Sequence, residues 1–272
     1  MTTLSKDLSG DLRHFFLSVK FELTKHLRRR RILMVVALTI IIPLIFYIIP
    51  PAFNIDFAET ANEFANSNLG FVNLLIIISA AVFAGDAVSG EFENKTGLSL
   101  FPTPQRRTSI FVGKFIAALL ATFLVVFLYY FITVLEIIQI YGISEISIEL
   151  FKSFLLALIY ATSAVSIIYF FSSILKRTIT SALIGFFLMM MILPIITSVL
   201  IFANVDPWFI VTHSAGLITD VLGVAGGFQS GPRGIDLSSF DPDFFVGTSV
   251  MVVYTIIFFI LGILMANRRK ME

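Results

Sequence analysis

Cysteine is absent from this 272-residue chain, and charge is scarce, with Asp, Glu, Lys and Arg together making up 14% of it. Without a thiol there is no disulfide framework, no Cys nucleophile and no Cys-ligated metal. A soluble domain carries about a quarter of its residues as charges. This chain cannot cover a globule of its length with a wetted surface, which argues against a one- or two-domain soluble enzyme. Net charge is only +1 and the isoelectric point is near 8.0, so no bulk field points to nucleic acid. The three histidines, His14, His26 and His213, lie far apart, and none has a second metal ligand at a workable spacing. A phosphate-binding Gly-x-x-x-x-Gly-Lys-[Ser/Thr] loop is also missing, because Gly113-Lys114 lacks both the upstream glycine and the following hydroxyl.

What the chain does have is apolar length. It is 57% hydrophobic with 30 phenylalanines, and its mean hydropathy is +0.95. A bilayer core about 30 Å thick needs roughly 20 apolar residues of helix. Six stretches without Asp, Glu, Lys or Arg are long enough: 32–55, 64–85, 115–135, 153–175, 178–205 and 244–267. Barrel strands alternate over about ten residues, and lipid forces every backbone polar group to find an internal partner. The expected class is therefore an all-α membrane protein with six transmembrane helices, at about 32–54, 64–85, 112–136, 152–175, 178–204 and 244–267.

The few charges are sorted by side. With six spans both termini share a face, and that face receives 17 of the 19 basic residues, all but Lys152 and Arg233. The other face is acid-rich, with Asp56, Glu59, Glu63, Glu145, Glu149, Asp206, Asp236, Asp241 and Asp243. The positive-inside rule then places both termini in the cytoplasm, including the 268–272 tail. No cleavable signal is expected, because the first apolar run is too long and follows 31 polar-to-amphipathic residues.

Within the spans no carboxylate falls near the middle. Glu136 lies near the outer end of the third and Asp86 at the end of the second. Intramembrane ionisable residues mark proton and ion relays, so an ion-coupled secondary transporter is disfavoured. Ser163 and Ser166 have no His or Lys base in a neighbouring span, which disfavours an intramembrane hydrolase. Pro43 and Pro194 are expected to kink the first and fifth spans. Small residues four apart (Ala80 and Ala84, Ala117 and Ala121, Ala157 and Ala161, Ser181 and Gly185) permit close helix contacts.

Residues 1–31 read as an amphipathic helix with a basic anchor. Leu12, Phe15, Phe16, Val19, Leu23 and Leu27 share one face, while Arg13, Lys20, Glu22 and Lys25 fall largely elsewhere. Such a helix lies in the headgroup plane; it serves either as a plain anchor or as an elbow that also meets a partner. On the outer side, within 203–243, Asp206-Pro207 suits a helix start. A short helix over 208–222 is expected to follow, ended by Gly223, with Trp208 as an interfacial anchor. The glycine-rich stretch after it reads as loop.

The link between the second and third spans, 86–114, is the most informative stretch. A short charged helix (Glu91, Glu93, Lys95) breaks at Gly97, an apolar ridge follows (Leu98, Leu100, Phe101), and Pro102 and Pro104 stop any helix. Arg106 and Arg107 then precede the next span. Apolar residues rimmed by charge suit protein docking. This stretch resembles the signature of ABC-2 type permeases, the membrane subunits of ATP-binding-cassette transporters. Gly90-Glu91, Glu93 to Thr96, Leu98 and Leu100, Pro104 to Arg107 and Gly113-Lys114 occur at matching intervals, with Lys95-Thr96-Gly97 where many members have Gly-Thr-Leu.

The resemblance implies an ABC-2 (type V exporter-like) fold. It implies a coupling loop, 86–111, that carries a short coupling helix, and Glu91, Glu93, Thr96, Leu98, Pro104 and Arg107 belong to that coupling region. For Arg106 and Arg107 alone, positive-inside anchoring is the favoured reading. It also implies an interfacial elbow (Phe15, Phe16, Val19, Leu23) and an outer gate region with Asp206, Pro207 and Trp208. The expected partners are two copies of an ATPase that binds ATP and Mg, a second permease chain in a homodimer, and the lipid bilayer. Nucleic acid is not among them, and this chain itself is expected to hold no cofactor or metal. The expected role is a permease subunit in the cell membrane, without catalytic residues of its own, that couples a partner's ATP hydrolysis to export. Uncharged, aromatic-rich spans suggest an amphipathic or lipid-like cargo. The alternatives are transmission of motion to an extracytoplasmic partner, as in copper-enzyme maturation, and a scaffold or channel with no ATPase.

Overall fold

The computed structural model describes residues 16–26, 28, 30–93, 107–224 and 240–269, and every regular element among them is helical. Helix α1 covers 16–26 and α2 spans Arg30–Ala52. Next come α3 (Ala61–Leu69), α4 (Val72–Ala84) and α5 (Ser89–Glu93). Helix α6 is Arg107–Ile140, a 3-10 turn occupies Ile143–Glu145, and α7 is Ile148–Ile174. Helix α8 (Thr178–Phe187) passes through a π-helical turn, Leu188–Ile192, into α9 (Leu193–Phe202). Two short turns, α10 (Val211–Ser214) and α11 (Leu217–Asp220), precede α12 (Phe244–Arg268). Six helical stretches are long and apolar enough to cross a membrane.

Three of the expected boundaries change. The second span is a tandem of α3, α4 and α5. Thr60 caps α3 by accepting the Glu63 N–H through its hydroxyl, and the chain turns at Gly70 and Phe71 before α4. The third span begins earlier than expected, at Arg107. Its 34 residues extend roughly 51 Å, well beyond a 30 Å hydrocarbon layer, so Lys114 sits inside regular helix. The fifth span is interrupted before Pro194. A proline has no N–H for the carbonyl four residues back, and the wider π turn at Leu188–Ile192 takes up that mismatch. Pro43, by contrast, is buried within an α2 that stays helical throughout.

Lipid is as apolar as Leu, so helices in a bilayer associate through close backbone approach and polar contacts rather than through water exclusion. The contacts follow that rule. Helix α4 lies among α6, α7 and α8, and α12 runs along α7. Gly262 lets α12 meet the Tyr169 ring, since a Cβ there would stand 2.8 Å from Tyr169 Cδ1. Gly185 does the same against Ile168. All four small-residue pairs named above are buried between helices of this one chain. Along α2, Ile32, Val35, Thr39 and Pro43 are buried against the bundle, with Val36, Leu38, Ile42 and Phe46 half-buried beside them. The outer flanks of α2, α8, α9 and α12 remain uncovered and apolar, as Leu33, Ile48, Ile179, Val199 and Ile256 show.

Hydrogen bonds tie the helix ends at two levels. At the basic end Asn267 Nδ2 donates to Thr108 Oγ1 and Arg269 Nη1 donates to the Leu175 carbonyl. At the acidic end Tyr141 OH donates to the Ala58 carbonyl, Ser147 Oγ to Asn62 Oδ1, and Asn62 Nδ2 to the Leu222 carbonyl.

Candidate functional site

At the basic end, where α1, α5 and α6 meet, two lysines and two glutamates form one cluster. Lys114, only 2% exposed, is bonded to Glu22 Oε1 and donates to Glu91 Oε1 at 2.7 Å. Lys25 reaches Glu22 Oε2 at 3.1 Å and Glu91 Oε1 at 3.5 Å. Two positive charges face two negative ones, so the quartet is neutral as a unit. Burial pushes the Glu22 carboxyl upward, and the Lys114 and Lys25 ammoniums outweigh it, holding Glu22 below its ordinary value. Helix α1 can come this close to α6 because Gly113 presents no side chain; a Cβ there would lie 3.1 Å from Ser18 Cβ.

Helix α5 is anchored on its other sides as well. Ser172 Oγ, from α7, accepts the Val88 and Ser89 N–H groups at 3.0 and 3.1 Å, which fixes the turn from α4 into α5. Glu93 Oε2 accepts the Thr178 N–H at 2.7 Å, which satisfies an open donor at the start of α8. The Arg269 guanidinium, just past α12, stacks 3.9 Å above the Phe92 ring. One five-residue helix thus touches the elbow and the third, fourth, fifth and sixth spans. A displacement of α5 cannot stay local.

The coupling residues named from sequence divide into three groups. Glu91 is buried and points inward to the lysines, and Glu93 reaches sideways to α8. Thr96, Leu98 and Pro104 lie outside the described residues, and Arg107 is the first residue of α6. On the elbow, Phe15 is outside the described residues, Phe16 is exposed, and Val19 and Leu23 are half-buried. The face that packs inward includes Glu22 and His26, contrary to the expectation that Glu22 lies off the packed side. Phe16, Leu17 and Phe21 point outward. Periodicity locates an apolar stripe but does not say that buried lysine and glutamate partners wait on the other side. The pairing of Glu22 and Lys25 with Lys114, a residue of the loop motif, is therefore not legible from periodicity. One signal was available: Lys114 is followed by a charge-free run to residue 135, and a lone lysine at such a boundary must pair or reach for water.

At the acidic end the outer segment departs from the single helix expected over 208–222. Asp206 and Pro207 precede an irregular stretch, helix begins only at Val211, and Gly216 separates two four-residue turns. Gly223 ends the segment with φ +68°. Pro207 is buried, while Asp206 and Trp208 are exposed. Trp208 and Val246 line two adjoining cavities. One, about 340 Å³, is edged by Asp206, Asp241 and Asp243; the other, about 440 Å³, is apolar, with Phe209, Phe245 and Tyr254. Burial pushes the His213 imidazole below its ordinary value, against the pull of Asp206 and Asp241. No group of His, Asp and Glu capable of holding a metal occurs among the described residues.

Residues 18–192 match a family model described as ABC-2 family transporter protein, a match that takes in α1, the cluster, α5 and the first five spans as far as the π turn. No curated protein matches the chain.

Proposed function

The chain belongs to the ABC-2 transporter family, and we propose that α5 and the residues after it are where a separate ATP-binding-cassette ATPase drives it. Permeases of this family are membrane components of transport, and membership implies an ATP-binding partner. The supporting observation is the Lys114 junction, which bonds α5 to both α1 and the third span. A push on α5 would reach the membrane helices through ion pairs and capping bonds rather than through loose loop. Glu91 then acts as an internal strut, and the docking contacts with the ATPase come from the segment beyond Glu93.

The working unit in this reading is two permease chains with two ATPases that bind ATP and Mg, seated in the cell membrane with both termini cytoplasmic. The small-residue pairs are already used inside the chain, which leaves the uncovered apolar flanks for a second copy. The elbow α1 lies along the inner membrane surface, and its outward Phe16, Leu17 and Phe21 suit the boundary of the acyl chains. The outer segment with Asp206, Pro207 and Trp208 covers the outer mouth. An amphipathic cargo fits the paired acidic and apolar cavities that meet at Trp208.

The test is purification of the tagged chain from its own membranes with identification of every co-purifying protein. The expected result is an ATP-binding-cassette ATPase, lost when the segment after Glu93 is replaced by a Gly/Ser linker. Recovery of the intact chain without any ATPase overturns the proposal.

A further inference from the structure

The end of the bundle opposite the ion cluster holds a carboxyl with no counter-charge. Glu136, on α6 about 33 Å beyond Lys114 at 1.5 Å per residue, is 5% exposed. Asn68 Nδ2, at the end of α3, donates to Glu136 Oε2 at 2.9 Å. The other oxygens of the two groups, Glu136 Oε1 and Asn68 Oδ1, are out of reach of solvent and have no hydrogen-bond partner. Asn68 is itself held in place, because Tyr129 OH, also on α6, donates to its backbone carbonyl at 2.7 Å.

The elements packed against α6 bring other titratable groups to this end. These are Tyr47 on α2, Glu63 on α3, Glu145 in the 3-10 turn, Glu149 and Lys152 on α7, Tyr129 and Tyr130 on α6 itself and Tyr141 just after it. Helix α4 carries no charged side chain, the charges of α2 lie at its other end, and α12 begins after Asp243. Among the described residues none of these forms an ion pair with Glu136, since every ion pair found belongs to the Lys114 cluster.

An ionised carboxylate here would face burial with a single amide donor and no cation, a costly state in an apolar interior. It would also leave two acceptors, Oε1 and Oδ1, unsatisfied on two planar groups already joined by one hydrogen bond. One added atom resolves all three costs. With a proton on Oε1, the hydroxyl donates to Asn68 Oδ1 while Asn68 Nδ2 donates to Oε2. The result is the closed ring of two hydrogen bonds that carboxylic acids and primary amides form. We propose that Glu136 is an intramembrane proton-binding site, in which a bound proton joins Glu136 to Asn68 as a neutral, doubly hydrogen-bonded pair. The pair links the second span to the third beside the turn at Gly70 and Phe71. Sequence places Glu136 near the outer end of the third span, and the structure adds that it is buried there.

The experiment is infrared spectroscopy of the full chain in lipid nanodiscs at pH 7, wild type minus Glu136→Gln. Gln keeps a planar group able to form the same two hydrogen bonds with Asn68, so the variant is expected to fold. The expected difference is a protonated-carboxyl carbonyl band present in wild type and lost in E136Q, and unmoved by added sodium chloride. In Asn68→Leu the same band should persist and shift to the higher frequency of an acid without a partner. If E136Q is not recovered, Glu136→Asp serves instead, since it must move the band. Carboxylate stretches in place of the carbonyl band, or a band that disappears on adding sodium, overturn the proposal.

Discussion

The Lys114 ammonium lies 2.7 Å from the Glu91 carboxylate and is bonded at the same time to Glu22. A single side chain from the third span therefore joins the short helix α5 to the elbow α1. Both carboxylates of the trio share this buried lysine, with Lys25 as a second, more exposed cation beside them, so the junction should gain or lose its parts together.

Removal of Lys114 takes from Glu22 and Glu91 the buried ammonium they share and leaves the more exposed Lys25 beside both. Breaking a buried ion pair from one side costs about 3–5 kcal/mol. Lys114→Met is expected to lower the thermal midpoint of the purified protein clearly. Adding Glu91→Gln and Glu22→Gln to it should recover part of the loss, because the stranded charges are then gone. A triple variant that falls by the sum of three independent effects would show that the side chains do not act as a unit.

Acid should release the elbow. Glu22 is held below its ordinary value of 4.5, so its contribution to stability is fully present above pH 4.5. It is lost as the pH falls through the lower value of the folded state. Protease cleavage within 16–26 is expected to accelerate below pH 4.5 in wild type. Glu22→Gln should be cut faster at neutral pH and respond less to acid.

Ser172 satisfies two buried backbone donors, Val88 N–H and Ser89 N–H. Ser172→Ala strands both, at about 1–3 kcal/mol for each unsatisfied group. Hydrogen exchange of these two amides should speed up strongly, with little change at α6.

Glycines 85 and 70 should respond in opposite ways. A Cβ at Gly85 would overlap the Ala81 carbonyl oxygen and stand 2.7 Å from Ala182 Cβ. Gly85→Ala is therefore expected to push α8 away and cost about 1–3 kcal/mol, as overpacking does. At Gly70 the nearest atom is 3.5 Å away and φ is −54°, an ordinary helical value. Gly70→Ala should leave the thermal midpoint unchanged or raise it slightly, because it restricts the unfolded chain. Thermal unfolding of both variants in one detergent checks the contrast.

Some parts of this architecture were legible from residue order and some were not. The six apolar runs predicted six spans, because length and hydropathy are properties of each run alone. The split of the second span at Gly70 does not follow from the absence of charge in 64–85, because Asn66, Ser67, Asn68 and Gly70 are all uncharged. The single helix expected over 208–222 failed for a related reason. Asp206-Pro207 is a good local start signal, but the chain there is committed to lining cavities against α12, and helix is delayed to Val211. Glu91 and Glu93 lie in α5; the motif also holds Lys114, but their other partners, Lys25 and the Thr178 amide, come from elements that the loop motif does not contain.

The sequence alone determined the membrane class, the number of spans and the gathering of basic residues at one end. Each of these depends on composition along a stretch of chain, and each helix satisfies its own backbone whatever its neighbours are. Tertiary structure decided how each helix is rotated and which polar groups meet. In lipid, a face turned outward and a face turned inward can be equally apolar, so periodicity carries little information about rotation. Only assembly of the bundle brings Glu22 and Glu91 to Lys114, and Asn68 to Glu136. The scarcity of charge marked the chain as a membrane protein, and the structure showed that several of its few charges are spent inside, holding helices together.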